Sequence, residues 1–366
     1  MDDLEYAREK IRQADETIAA AFVERMNAVK TVAAYKKAHG LPVFDEAQEE
    51  RVIKRGEALV ADPDLRASYG RLVRTLMALS KNYQHTLLEG ARIAYSGVEG
   101  AFAHIAASRI FPDACAVPFP SFEQAYRATV DGDCDCAVLP IENSYAGEVG
   151  NVIDLMFTGP LFVNGVYELP VTQNLLGLPG AAISEITHAL SHPQALGQCG
   201  NYLTSHGIIP VEAANTAVAA KTVAEKGDPH TAAIASAQTA KLYGLAVLDH
   251  DINESSVNTT RFAVFSRALD DARPVHGDST FILLFTVKNI PGALAEAIAV
   301  IGAHGFNMKA LRSRPMKDLA WQYYFYVEAE GDDRDGRGKA MLDSLAGVCD
   351  RLKIVGRYGK ETLLKE

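Results

Sequence analysis

The sequence predicts a multidomain chain with three successive classes: an all-α segment, an α/β segment and an α+β segment of ferredoxin-like order. Three observations predict it. Up to about residue 88, apolar residues recur at helical spacing with almost no glycine. From about 91 to 268, short apolar runs alternate with helical stretches. From 279 to 360 the patterns follow the order βαββαβ. At 366 residues the chain is also too long for one ordinary core.

Leu4, Ile11, Ile18, Phe22, Val29 and Val32 mark a first helix, which Gly40-Leu41-Pro42 ends. Such a rod spans about 50 Å at ~1.5 Å per residue. A second helix is expected from about Asp45 to Val60, and Asp62-Pro63 starts a third that ends near Gln84. Two short helices cannot cover the rod, so a second copy of the chain is expected to do so, as a homodimer or higher homo-oligomer. Ile93-Ala94-Tyr95, Ala114-Cys115-Ala116-Val117, Ala137-Val138-Leu139 and Thr231-Ala232-Ala233-Ile234-Ala235 read as strands of a mostly parallel sheet. Gly97-Val98-Glu99-Gly100 reads as a tight strand-to-helix turn. It is not the G-x-G-x-x-G fingerprint, so nicotinamide chemistry is not expected. Asp270 to Asp278 reads as a linker. Strands follow at 280–287, 306–313, 321–328 and 352–358, with helices at 291–304 and 339–348.

Apolar content of 48% and charged content of 22% fit a soluble globular protein. No apolar run approaches the roughly 18 to 20 residues of a membrane span, and the acidic start lacks a signal peptide's pattern. A cytoplasmic protein with no membrane role is expected. The net charge of −10, with no basic tract, argues against nucleic acid but not against a small anion, since a few clustered Arg and Lys can dominate a local field. Five cysteines do not form a disulfide framework. Cys134 and Cys136 lie too close for a zinc pair without further ligands, so they read as ordinary thiols.

Val138-Leu139-Pro140-Ile141-Glu142-Asn143-Ser144-Tyr145-Ala146-Gly147 is an apolar strand that delivers polar groups into a turn at its carboxyl end. Further along, Asn258-Thr259-Thr260-Arg261-Phe262 leads into Ala263-Val264-Phe265. Either string alone also reads as a satisfied turn. Together and in order they resemble the signature of the prephenate dehydratases, which turn prephenate into phenylpyruvate. The resemblance implies a cleft between two lobes. In it Thr260 assists the departing hydroxyl with Arg261 beside it, while Phe262, a further candidate contact, reads more as core packing. Asn143 and Ser144 orient the ring or carboxylate, and Glu142 reads as structural. Gln194 of Ser191-His192-Pro193-Gln194 is a further substrate contact, while His192 alone reads as a satisfied loop histidine. Ala101 and Ala103 stand where that family commonly has hydroxyl residues.

In the helical segment Arg25 and Lys36 lie about three turns apart on nearly one face and could grip a small dianion. By pattern alone a solvated helix face is the plainer reading. Arg8, Arg25, Lys36, Asp45, Glu49, Ser80 and Gln84, however, resemble the set of the all-helical chorismate mutase domains that often precede such dehydratases. That resemblance puts Lys36 and Gln84 at the ether oxygen of chorismate, Gln84 with help from Glu49. Arg8, Arg25, Asp45, Gln48 and Ser80 become binding residues, Arg8 reaching the partner's site in an antiparallel dimer. Gln48 stands where the family usually has arginine.

Gly292-Ala293-Leu294 and Ser313-Arg314-Pro315 resemble the effector strings of an ACT domain, which implies L-phenylalanine bound between two subunits. Arg312 replaces the glutamate usual before Ser313, and Trp321 is expected as pocket lining or core. The resemblance implies a bifunctional enzyme of phenylalanine biosynthesis acting on chorismate and prephenate under feedback inhibition, with no metal or organic cofactor. Two alternatives are a dehydratase with a degenerate helical dimerisation domain and a non-catalytic small-molecule sensor, since fold alone excludes neither.

Overall fold

The computed structural model describes residues 2–42, 46–255, 257–270, 279–317, 319 and 321–365. Two compact units form: residues 1–92 with 113–115 and 132–135, and the remainder. In the first, α1 (Asp3–His39) is capped by Asp2, whose carboxylate accepts from the Leu4 amide at 3.1 Å, and it stops at Gly40 in the left-handed region. Of α1 only Val29 and Ala33 are buried among the described residues, while Leu4, Ile11 and Ile18 are more than half exposed. α2 (Glu46–Ala58) packs close to α3 (Pro63–Glu89), where a Cβ on Gly56 would lie 2.9 Å from Val73. Asp62 and Pro63 start α3 as expected. It runs past Gln84 to Glu89, because no breaker intervenes before Gly90. The expected start of α2 at Asp45 lies outside the described residues.

The second unit opens with a lobe of β1 (Arg92–Ser96), α4 (Phe102–Ile110), β2 (Cys115–Phe119), α5 (Phe122–Asp131), β3 (Cys136–Asn143), β4 (Gly147–Glu148), α6 (Gly150–Thr158) and β5 (Phe162–Pro170). Gly97 and Gly100 both take positive φ in the β1–α4 turn, which is why glycine stands there. The chain then crosses to a second lobe. Its elements are β6 (Asn174–Gly177), β7 (His188–Ser191), α7 (Pro193–Gln198), α8 (Gly200–His206), β8 (Ile209–Glu212), α9 (Thr216–Lys226), β9 (Thr231–Ala235), α10 (Ala237–Tyr243) and β10 (Ala246–Asp249). Its sheet has the order β10-β6-β9-β7-β8. β11 (Thr259–Ser266) returns to the first lobe and lies between β3 and β5, antiparallel to both.

The expectation of a mostly parallel sheet needs correction. β1 with β3, and β7 with β8 and β9, are parallel, but β6 and β11 are antiparallel to both of their neighbours. Those strands border the two crossings between the lobes, and each crossing reverses the chain.

The remainder forms β12 (Thr280–Thr286), α11 (Ala293–Ala303), β13 (Asn307–Pro315), β14 (Tyr323–Glu330), α12 (Gly336–Val348), β15 (Arg351–Tyr358) and β16 (Thr362–Leu363). The strand order β13-β14-β12-β15 is the ferredoxin-like arrangement. Phe281, Leu283, Phe285, Ala297, Ile301, Met341 and Leu345 fill its core. α12 begins before the expected Lys339 because Asp335 caps it, accepting from the Gly338 amide at 2.6 Å. β15 pairs with β5 at Gly356 and Val163, where a Cβ on Gly356 would lie 2.7 Å from that of Val163. Trp321 is not core: it is 82% exposed at a turn with φ 61°. Most of the expected linker, 271–278, lies outside the described residues.

Candidate active site

Between the two lobes lies a cavity of about 600 Å³. β3 and β11 run side by side beneath it, with Thr260 opposite Asn143 in the ladder. The Asn143 Nδ2 donates to Thr260 Oγ1 at 3.0 Å and to Asn258 Oδ1 at 2.8 Å. Its Oδ1 accepts from the Tyr145 and Ala146 amides at 3.0 and 2.9 Å. Backbone amides can only donate, so the Asn143 amide has one allowed orientation. Thr260 therefore accepts from Asn143, and its own proton remains free to donate into the cavity.

No lysine or arginine lines this space among the described residues. The N-terminal ends of α4 at Ala101, Phe102 and Ala103, of α5 at Ser121 and Phe122, and of α9 at Asn215 and Thr216 all border it. Each helix N-terminus acts as roughly half a positive charge and offers unpaired N–H groups, so three together suit an anion.

Phe262 and Gln194 line the cavity with Thr260 and Asn143, and Phe262 is also buried. His192 borders it while its Nδ1 caps α7, accepting from the Gln194 amide at 3.2 Å. Two expected contacts point elsewhere. Ser144 Oγ is tied to Val257 O and the Thr259 amide, both at 2.9 Å. Arg261 alternates with Thr260 and Phe262 along β11, so its guanidinium faces the opposite side. There it meets Glu142 at 2.9 Å, Glu328 at 2.7 Å and Glu361 at 2.5 Å. Burial lowers the Arg261 pKa and these carboxylates more than reverse that, so it stays charged. Gln173 and Gln198, both buried and lining the cavity, escape the sequence reading. Gln198 Oε1 accepts from Asn258 Nδ2 at 3.0 Å and so supports the asparagine that braces Asn143. The polar Thr172-Gln173-Asn174 set between Val171 and Leu175 was the one available signal for Gln173.

In the helical unit, Arg25 of α1 donates to Ser80 Oγ and to Leu76 O of α3. Burial lowers its pKa. Glu49 of α2 pairs with Lys81 of α3 at 2.9 Å, a lysine the sequence reading passed over. Gln84 is buried, and its Oε1 has no hydrogen-bond partner among the described residues. Such an orphan costs about 1–3 kcal/mol unless a ligand satisfies it. Lys36 is half-buried, Gln48 and Arg8 are exposed, and Asp45 lies outside the described residues.

In the C-terminal region Gly292 takes φ 87° at the start of α11, followed by Ala293 and Leu294. Ser313, Arg314 and Pro315 end the edge strand β13. Arg314 is drawn inward, with Nε 2.7 Å from Asp154 and Nη1 2.6 Å from Glu148.

A two-lobed dehydratase-type cavity and a separate three-helix unit define the class. Residues 93–269 match the prephenate dehydratase family model, and residues 7–85 match that of chorismate mutase type II. The bifunctional chorismate mutase/prephenate dehydratase of Stutzerimonas stutzeri is 30% identical over 371 residues, covering 99% of each chain. The chain belongs to the bifunctional chorismate mutase/prephenate dehydratase family. Two solved structures also resemble it. One, described as the quorum-quenching acylase GqqA, has TM-score 0.69 at 32% identity and covers 74% of this chain and 98% of its own. The other is a prephenate dehydratase from Arthrobacter aurescens in complex with L-Phe. It has TM-score 0.68 at 28% identity and covers 74% of this chain and 90% of its own.

Proposed function

We propose that the helical unit rearranges chorismate to prephenate and that the two-lobed cavity converts prephenate to phenylpyruvate. The observation that carries the second step is the Asn143–Thr260 pair, whose one-way hydrogen bond frees the threonine proton. The ring carboxylate of prephenate leaves as CO2, and the electrons of that C–C bond complete the aromatic ring. The C4–O bond breaks with its pair going to oxygen, and Thr260 donates a hydrogen bond to the hydroxide as it forms. Threonine is too weak an acid to lose its proton outright, so its role is assistance or relay. The helix N-termini would hold the side-chain carboxylate.

The mutase step is pericyclic and needs no nucleophile. Lys36 and Gln84 would stabilise charge on the ether oxygen, with Arg25 and Ser80 holding a carboxylate or hydroxyl. The C-terminal βαββαβ region is read as an ACT domain for feedback by phenylalanine, supported by the Arthrobacter aurescens complex with L-Phe. Gly292, Ala293, Leu294, Ser313, Arg314 and Pro315 are its proposed effector residues. The exposed apolar face of α1 supports a homodimer or higher homo-oligomer, and a cytoplasmic site of action fits both substrates.

Gln48, where the family usually has arginine, favours one second reading: a dehydratase whose helical unit only dimerises. Acyl hydrolysis has less support, because Thr260 faces an N–H donor rather than a base. Chorismate supplied to the purified protein, with both products followed with and without phenylalanine, tests these readings. Prephenate should rise and then give way to phenylpyruvate, and phenylalanine should slow the second step. Absence of prephenate would favour the dehydratase-only reading.

A further inference from the structure

The turn that carries Asn143 is held from the C-terminal domain. Glu142 immediately precedes Asn143 and stands opposite Arg261 in the β3–β11 ladder. Arg261 donates to its Oε2 at 2.9 Å, while Arg312 of β13 donates to its Oε1. Two guanidinium groups thus clamp one carboxylate. Arg312 lies 3.9 Å from Glu148 and 3.8 Å from Glu328 as well. Glu328 is 1% exposed, binds Arg261 through both oxygens at 3.1 and 2.7 Å, and accepts from Tyr326 and Tyr358. The ladder shifts register between Arg261 and Phe262, with the Arg261–Glu142 pair standing between the shift and Thr260–Asn143. The Arg261–Glu142 ion pair thus holds the last regular rung before the shift, on the same side of it as Thr260 and Asn143. None of Glu142, Arg261 or Arg312 lines the cavity.

We propose that Arg312 is a positioning residue for the dehydratase: from the C-terminal domain it clamps Glu142 and so sets Asn143 against Thr260. This rests on the dehydratase reading above. The sequence reading treated Arg312 as a charge reversal near an effector. In the fold its charge is answered by Glu142 instead.

The test uses the full-length protein with Arg312→Met, Glu142→Gln, Arg312→Lys and the Arg312→Met/Glu142→Gln pair. Arg312→Met should lower kcat for phenylpyruvate formation about tenfold while KM for prephenate changes less than about twofold. Glu142→Gln should act similarly, the pair should be no worse than the weaker single variant, and Arg312→Lys should recover part of the loss. Mutase turnover should be unchanged. Independently of turnover, the Tyr145 and Ala146 amides should exchange hydrogen faster in Arg312→Met, because they rely on Asn143 Oδ1. Wild-type kcat and exchange in Arg312→Met, or losses that multiply in the pair, would overturn the proposal. A wild-type protein that forms no phenylpyruvate would sink the dehydratase reading, leaving the exchange result to judge the clamp.

Discussion

Asn143 is bound on both sides of its amide, and that decides what Thr260 can do. Because two backbone amides hold Oδ1, the Nδ2 must face the threonine. Asn143→Asp keeps the shape but replaces the donor with an acceptor. Thr260 would then spend its proton on the aspartate. The expected result is a roughly 10²- to 10³-fold loss in kcat for phenylpyruvate, measured at saturating prephenate, with much less effect from Thr260→Ser. Lys36→Ala should abolish mutase turnover and leave the dehydratase rate intact, which separate assays on chorismate and on prephenate would show. Asn143 and Thr260 were legible because each sits in a contiguous polar string beside an apolar strand. Gln173 and Gln198 were not, since their partners come from distant segments. The side that Arg261 faces was also missed, because its carboxylate partners come from distant segments, and the helix N-termini that border the cavity leave no charge in a sequence.

Glu328 shows how an element can matter through a buried charge. Burial disfavours its ionised form, but Arg261 and two tyrosines hold its pKa below the ordinary carboxylate value. Glu328→Ala would leave Arg261 short of its main partner, and a loss of about 3–5 kcal/mol in denaturant unfolding is expected. α6 and β13 are joined by a second cluster. Burial would raise the Asp154 carboxyl, yet hydrogen bonds from Arg314, Tyr324 and Lys317 hold it at about 2, below its usual 3.8. A depressed value stabilises the fold above the unfolded pKa, and that stability fades as pH falls through the folded one. The melting temperature of the wild type should thus drop more steeply than that of Asp154→Asn between pH 3.8 and about 2. Gly150→Ala should loosen the same contact, because its Cβ would meet the Arg314 guanidinium, which would have to shift. Neither ion pair was legible, since Arg261 and Glu328 lie 67 residues apart and Asp154 and Arg314 160 apart, which leaves no local pattern.

Across the whole molecule, the class of each segment was readable from periodicity, because helical and strand repeats differ and Gly40, Asp62-Pro63 and Gly97 punctuate them. Strand direction was not: an apolar run reads the same whichever way it enters a sheet, so the antiparallel return of β11 was missed. No described helix is long and apolar enough to cross a membrane. The exposed Leu4, Ile11 and Ile18 stripe on α1 predicts self-association. Light scattering should give at least twice the 39.5 kDa chain mass, and Ile11→Glu with Ile18→Glu should shift it toward the monomer.

The fate of chorismate in Thr260→Ala tests the account most directly. If two separate sites act in succession and Thr260 serves only the second, prephenate should accumulate at the wild-type rate and stay, with phenylpyruvate reduced at least about a hundredfold. Phenylpyruvate appearing at the wild-type rate, or prephenate failing to appear at all, would contradict it.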